Sequence, residues 1–316
     1  MSKKYFQTFK EHFQLLVAFM GVSGFVIFIF IMLTVLTGGC ASEKKDDGKL
    51  KIVTSFYPIY LETINITRGV EGVEVVNLTP PQTGCLHDYQ LTPEDMKTLE
   101  TADIFVVNGL GMESFLDKVI ETQPNLKIIN ASDSPEIIPI IEDGVPNPHV
   151  WLSITYAIQQ VKNISSKLCE LDPERADKYK RYTLDYVDEL TTLRDEIHIS
   201  LTMLPNKEIV TFHEAFPYFA AEFGLKIAAV IEREPGTDPT PQELAETIEK
   251  INSLPVKIIF TEPQYSPKAA ETIVRETGAQ IFTLDPIVTG EAKPENLLDY
   301  VDRMLANTLT LAKALQ

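Results

Sequence analysis

The sequence predicts an α/β fold: two lobes built on parallel sheets, joined by one long rigid α-helix. Three observations carry this. Strand and helix signals alternate through the first half of the 316 residues. The same order recurs in the second half. Between the halves lies a stretch without glycine whose apolar residues recur at helical spacing. Alternating strands and helices call for parallel sheets covered by helices on both faces.

Leu50–Phe56 reads as the first strand, and a helical pattern from Pro58 to about Arg68 stops at Gly69. Val73–Leu78 is a second strand. Thr92-Pro93-Glu94-Asp95 opens a helix, with Thr92 able to cap, Pro93 suited to the first helical position and acids in the first turn. Asp103–Val107 and Leu126–Ile129 are the third and fourth strands, with helices at about 113–121 and after Trp151. In the second half, strands read at Glu208–Phe212, Lys226–Ile231, Val256–Phe260 and Gln280–Leu284, and helices at about 214–223, 241–253, 266–277 and 294–314. Short apolar runs such as Ile258-Ile259-Phe260 suit strands buried on both faces.

From Pro173 to about Leu204 there is no glycine and no internal proline, and Tyr179, Tyr182, Tyr186, Leu190, Leu193 and Ile197 share one helical stripe. Asp172 can cap this helix and Pro173 can open it. At 1.5 Å per residue it would run roughly 45 Å, enough to follow two lobes. The expected organisation is therefore an export segment at 1–39, a polar tether at 40–49, a first lobe at 50–172, a linker helix at 173–204 and a second lobe at 205–316.

The export segment rests on charge and hydropathy. Lys3, Lys4 and Lys10 precede a stretch from His12 to Cys40 without Asp, Glu, Lys or Arg, and Leu36-Thr37-Gly38-Gly39-Cys40 leads into a polar run. That order reads as a signal ending at a lipidation cysteine, Cys40, although Thr37 stands where leucine is usual. The alternative is an uncleaved signal anchor, since the apolar run is long enough to span a bilayer. Both place the remainder on the extracytoplasmic face of the cell membrane. The formal net charge of −17 argues against a nucleic-acid surface, which needs clustered Lys and Arg. Beyond Cys40 only Cys85 and Cys169 remain, too far apart in sequence for a CxxC pair.

Five histidines exist. His12 lies in the export segment and His198 in the long helix. His87 lies in the loop after the second strand, His149 at the end of the first lobe and His213 at the carboxyl end of the fifth strand. Asp285 ends the last strand. Open α/β sheets bind ligands beyond the carboxyl ends of their strands, so a cleft between lobes would collect these four. Three imidazoles and a carboxylate form a set that Zn²⁺ accepts tetrahedrally. Spacing alone leaves the ordinary alternative open, because a lone loop histidine is more often a surface residue.

At these residues the chain resembles the zinc- and manganese-type solute-binding lipoproteins of ABC importers. The resemblance runs through HDYxLTPxD at His87–Asp95, PHVWLS at Pro148–Ser153, FHEAFPYFAAEFGL at Phe212–Leu225, EPGTDPTPQEL at Glu234–Leu244 and LDPI at Leu284–Ile287. It implies two (β/α)₄ lobes bridged by one helix, and metal ligands at His87, His149, His213 and Asp285. It implies a monomeric carrier, not an enzyme, that delivers Zn²⁺ to an ABC permease and its ATPase while held at the membrane by a lipid on Cys40. Manganese-type members commonly carry Glu where His213 stands, and Mn²⁺ prefers more oxygen donors, so His213 favours zinc. Leu86 departs from the family's usual proline before the first ligand. Cys85, two residues before His87, is a thiol that zinc would accept in place of Asp285, or else a buried apolar filler.

Glu262, Glu214 and Asp88 are candidates to hydrogen-bond the ligand imidazoles. Trp151, Tyr57 and Pro58 are expected to line the cleft. Glu136, Glu142 and Asp143 read as a solvated acidic run. The rivals are a Mn²⁺ or Fe²⁺ carrier on the same scaffold, a zinc hydrolase with Glu214 as its base, and an adhesin in which metal is structural.

Overall fold

The computed structural model describes residues 48–316 except 88, 143, 232–239, 255–256 and 265–267, and not the side chains of 268 and 269. The export segment, Cys40, most of the tether and Asp88 therefore lie outside the described residues.

The first lobe holds a four-stranded sheet. β1 (Leu50–Thr54), β2 (Val73–Asn77), β3 (Ile104–Val107) and β4 (Lys127–Asn130) lie in the order β2-β1-β3-β4, all parallel. Its helices are α1 (Tyr57–Thr67), α2 (Pro93–Glu100) and α3 (Leu116–Thr122). A short antiparallel pair, β5 (Ile141–Glu142) and β6 (Val145–Pro146), precedes a single 3₁₀ turn at Val150–Leu152 and the helix α4 (Ile154–Leu171). The second lobe repeats the plan. β7 (Glu208–Thr211), β8 (Lys226–Val230), β9 (Ile258–Thr261) and β10 (Gln280–Thr283) lie in the order β10-β9-β7-β8, again all parallel. α6 (Pro217–Phe223), α7 (Pro241–Ser253), α8 (Lys268–Thr277) and α9 (Asp299–Ala314) complete it.

All eight expected strands form. Inner strands β3 and β9 are buried at every residue, as parallel strands covered on both faces must be. At α2 the Thr92 side chain accepts from the Asp95 backbone N–H, and the Asp95 carboxylate accepts in return from the Thr92 N–H. This reciprocal pair satisfies two donors at the helix start. Thr240 and Glu243 do the same for α7.

The linker helix α5 spans Ala176–Thr202. Tyr179, Tyr186, Leu190, Leu193, Ile197 and Leu201 form its buried stripe. Its start differs from the expected one. Asp172 does not cap the helix; its carboxylate accepts from the Tyr179 hydroxyl at 2.6 Å and from Arg175 at 3.1 Å. Pro173–Arg175 form a 3₁₀ turn instead. A carboxylate flanked by a cation and a phenol gains more from those partners than from backbone donors. α3, α6 and α9 likewise begin three to five residues after the expected points. For α6 the intervening residues form the turn that carries His213.

One hydrophobic core runs through both lobes and α5, from Ile52 to Leu315. A smaller one lies under α7 and α8. Polar contacts also cross between the lobes. Trp151 Nε1 donates to the Pro286 carbonyl at 2.8 Å, the Tyr300 hydroxyl to the Trp151 carbonyl at 2.6 Å and the Tyr57 hydroxyl to Asp299 at 2.7 Å. Gly290 N–H donates to the Pro81 carbonyl at 2.9 Å. Its glycine identity is required there: a Cβ would sit 2.4 Å from the Tyr57 ring.

Candidate metal centre

Each histidine lies in a segment that follows a strand: His213 two residues after β7, His149 three after β6 and His87 in the longer loop after β2. β7 is followed by Phe212, whose N–H extends the sheet by donating to the Phe260 carbonyl at 2.8 Å, and then by His213. The β7–β8 pairing shifts register between Ile209 and Val210. Such irregularities re-aim the chain beside functional positions. His149 follows β6 in a loop held by Asn108, whose Nδ2 donates to the Pro148 carbonyl at 2.9 Å. His87 lies in the loop after β2. Its neighbour Leu86 is fully buried and its N–H meets Met112 Sδ at 3.4 Å.

The three rings converge. Ring centroids of His87 and His149 are 5.3 Å apart, those of His87 and His213 5.9 Å, and those of His149 and His213 5.2 Å. Cys85 joins them, and one donor atom from each of Cys85, His87, His149 and His213 lies within 4.8 Å of every other. His149 and His213 are buried, while His87 and Cys85 are partly exposed.

Electrostatics keep His149 and Cys85 neutral. Burial first, then His213 and His87, hold the His149 imidazole well below the usual histidine range. A second positive charge among three facing rings is unfavourable, and removal from water adds to the cost. Burial, and then the nearby Glu262 carboxylate, push the Cys85 thiol up. A neutral imidazole is the form that a divalent cation accepts as a ligand.

The tautomer of His149 follows from its partner. Its Nδ1 lies 3.0 Å from Asn147 Oδ1, and its backbone N–H donates to the same oxygen at 3.0 Å. The Asn147 amide is oriented by two acceptors, since its Nδ2 donates to Glu142 and to the Glu214 carbonyl. An amide oxygen only accepts, so Nδ1 carries the proton and Nε2 presents its lone pair to the cluster. Sequence reasoning missed Asn147. The available signal was an Asn two residues before a candidate ligand and directly before proline, the pattern of a side chain that bonds backbone two residues on.

Asp285 lies outside the group of four donors. Its Oδ2 pairs with Arg303 at 2.9 Å and its Oδ1 accepts from the Ile287 N–H at 2.7 Å. Glu214 contributes its backbone carbonyl to Asn147. Glu262 is buried, near enough to Cys85 to affect its thiol, and accepts from Gln264 at 2.6 Å. Trp151 is fully buried, 5.3 Å from the His149 ring and edge-on to Phe56. Glu142, read as part of a solvated run, instead anchors Asn147. His198 packs on Phe223, with ring centroids 4.8 Å apart, and is not one of the four clustered donors. Cys85 and Cys169 are both free thiols.

Comparison with known proteins identifies the family. Residues 52–314 match the family model described as zinc-uptake complex component A, periplasmic. The high-affinity zinc uptake system protein ZnuA of Bacillus subtilis (strain 168) is 30% identical over 296 residues, covering 88% of this chain and 91% of that protein. The manganese-binding lipoprotein MntA of Halalkalibacterium halodurans is 27% identical over 263 residues, covering 80% of this chain and 86% of that protein. A crystal structure of ZnuA aligns with a TM-score of 0.75 at 30% identity, covering 85% of this chain and all of the other. Two parallel-sheet lobes, a long connecting helix and a family match that spans both lobes lead to one conclusion: the chain belongs to the family of periplasmic component A proteins of zinc-uptake complexes.

Proposed function

We propose that this protein is an extracytoplasmic carrier that captures Zn²⁺ through His87, His149 and His213 and hands it to an ABC permease driven by its ATPase. The observation that carries the reading is the convergence of three imidazoles on one point, with donor atoms within 4.8 Å of each other. Nothing in the cargo is made or broken. The protein's work is to hold lone pairs in place and to keep water out of a mostly buried site.

Zinc is favoured over manganese by the donor set. Imidazole and thiol are borderline to soft ligands, whereas Mn²⁺ is better served by carboxylate, carbonyl and water. The manganese-binding relative supports Mn²⁺ as the second reading.

Family membership supports placement outside the cytoplasmic membrane, and the similarity to a lipoprotein supports a lipid anchor on Cys40 after removal of residues 1–39. Among the described residues no helix is long and apolar enough to cross a membrane. The carrier acts as a monomer, with residues 50–172 and 205–316 as its lobes, 173–204 as their rigid link and 40–49 as the tether.

Calorimetric titration of the metal-free protein with Zn²⁺ and Mn²⁺, repeated on His213→Ala, tests this. One tight zinc equivalent, weaker manganese binding and loss of tight zinc binding in the variant are expected. Preferred manganese binding, or zinc binding indifferent to His213, would overturn the assignment.

A further inference from the structure

We propose that the Cys85 thiolate, rather than the Asp285 carboxylate, closes the fourth position around the ion, so that this carrier presents three nitrogens and one sulfur. The inference rests on the metal-binding reading above and deepens it.

Distance is the first argument. Zn–S bonds of about 2.3 Å and Zn–N bonds of about 2.0–2.1 Å, set at a tetrahedral angle, place the two donors about 3.6 Å apart. Cys85 Sγ lies 3.4 Å from His149 Nε2. That nitrogen is the one left with a lone pair by the Asn147 contact. The sulfur thus already occupies a tetrahedral neighbour's place relative to the best-defined ligand atom. All four donors lie within 4.8 Å, so a contraction of at most about 1.5 Å between the widest pair brings them to tetrahedral separations around one ion.

The second argument is the engagement of Asp285. Both its oxygens are used, one by Arg303 at 2.9 Å and the other by the Ile287 N–H at 2.7 Å. Arg303 also pairs with Asp299 at 2.8 Å, and Asp299 accepts from Tyr57. Turning the Asp285 carboxylate to a metal would open a network joining the lobes. Ile287, held by that carboxylate, has φ of 65°, a costly conformation for a β-branched residue. The turn is therefore built around Asp285 in its present place.

Local sequence supplies the third. Cys85 and His87 flank Leu86, which is fully buried. A residue pinned in the core with a ligand on each side presents both from one short loop. A cysteine that merely filled apolar space would face carbon; this one faces an imidazole nitrogen. When zinc binds, the S–H bond breaks, the proton passes to solvent and a metal–sulfur bond forms. A sulfur donor makes the site softer, which favours Zn²⁺ and Cd²⁺ over Mn²⁺.

Cobalt(II) reports the donor set directly. The metal-free full chain is titrated with Co²⁺ as wild type, Cys85→Ser and Asp285→Asn. The expected wild-type spectrum combines intense visible bands of tetrahedral cobalt with a near-ultraviolet thiolate-to-cobalt charge-transfer band. Cys85→Ser should lose the charge-transfer band, and Asp285→Asn should keep it. Zinc-edge X-ray absorption on the zinc-loaded wild type should find one sulfur at about 2.3 Å, a readout that needs no variant to fold. Visible bands without charge transfer and without sulfur at zinc would overturn the inference and leave metal binding intact. Loss of the visible bands in Asp285→Asn with charge transfer retained in Cys85→Ser would do the same. Absence of any cobalt or zinc binding would overturn the metal reading itself.

Discussion

Asn147 Oδ1 accepts twice from His149, once from the backbone N–H and once from ring Nδ1, both at 3.0 Å. One oxygen thereby sets the loop, the ring orientation and the tautomer. Partners of this kind typically carry about 10–100-fold in metal affinity. Asn147→Ala is expected to weaken zinc binding within that range while leaving the far-ultraviolet circular dichroism unchanged. Competition against a chromophoric chelator measures it; unchanged affinity would show that His149 is oriented by its packing on Trp151 alone.

Zinc should stabilise the fold in proportion to its affinity. A ligand that binds only the native state at 100 times its dissociation constant contributes about 2.7 kcal/mol. For a domain of this size that corresponds to a rise in Tm of about 5–10 °C. Thermal unfolding with and without zinc, reversed by a chelator, checks the effect. His213→Ala should abolish most of the shift.

Zinc capture should not close the lobes by a large hinge. One core is continuous through both lobes and α5, and Trp151, Tyr57 and Gly290 hydrogen-bond across from one to the other. Small-angle scattering of the metal-free and zinc-loaded protein is expected to give superimposable curves. A clear fall in the radius of gyration on loading would show that these contacts break during capture.

Glu62, which is not among the four clustered donors, is a buried carboxyl on α1. It is 1% exposed, and neither carboxyl oxygen has a hydrogen-bond partner among the described residues. Burial raises its carboxyl well above the ordinary value. The folded state therefore prefers the protonated form. The stability this group supports is fully present below about pH 4.3, the unfolded value, and is lost as pH rises toward the folded one. Glu62→Gln removes that loss, so its Tm relative to wild type should climb from pH 4 to pH 8. A constant difference across this range would mean that water or movement relieves the charge.

Much of the architecture was legible in the sequence. Apolar runs, Pro and Gly punctuation and the Thr92-Pro93-Glu94-Asp95 start are local signals, and local hydrogen bonding decides them. The stripe from Tyr179 to Ile197 is equally local, because helical periodicity is written in sequence spacing. That His87, His149 and His213 would gather at one place was legible as an expectation, but only His213 directly follows a strand of a parallel sheet; His149 follows the antiparallel β5–β6 pair and His87 lies ten residues beyond β2.

What only the tertiary structure decided concerns partners far apart in the chain. Asp285 meets Arg303, 18 residues on, because α9 packs back over the end of β10. Cys85 meets His149 from 64 residues away, because two loops of the first lobe close over one cleft. Asn147 meets the Glu214 carbonyl from 67 residues away, whereas its contact with Glu142 is local to the β5–β6 hairpin. Residue type and spacing determine which groups can reach the end of a sheet. Which carboxylate is taken by an arginine, and which thiol is left facing an imidazole, depends on packing between elements, and that is set by the whole core at once.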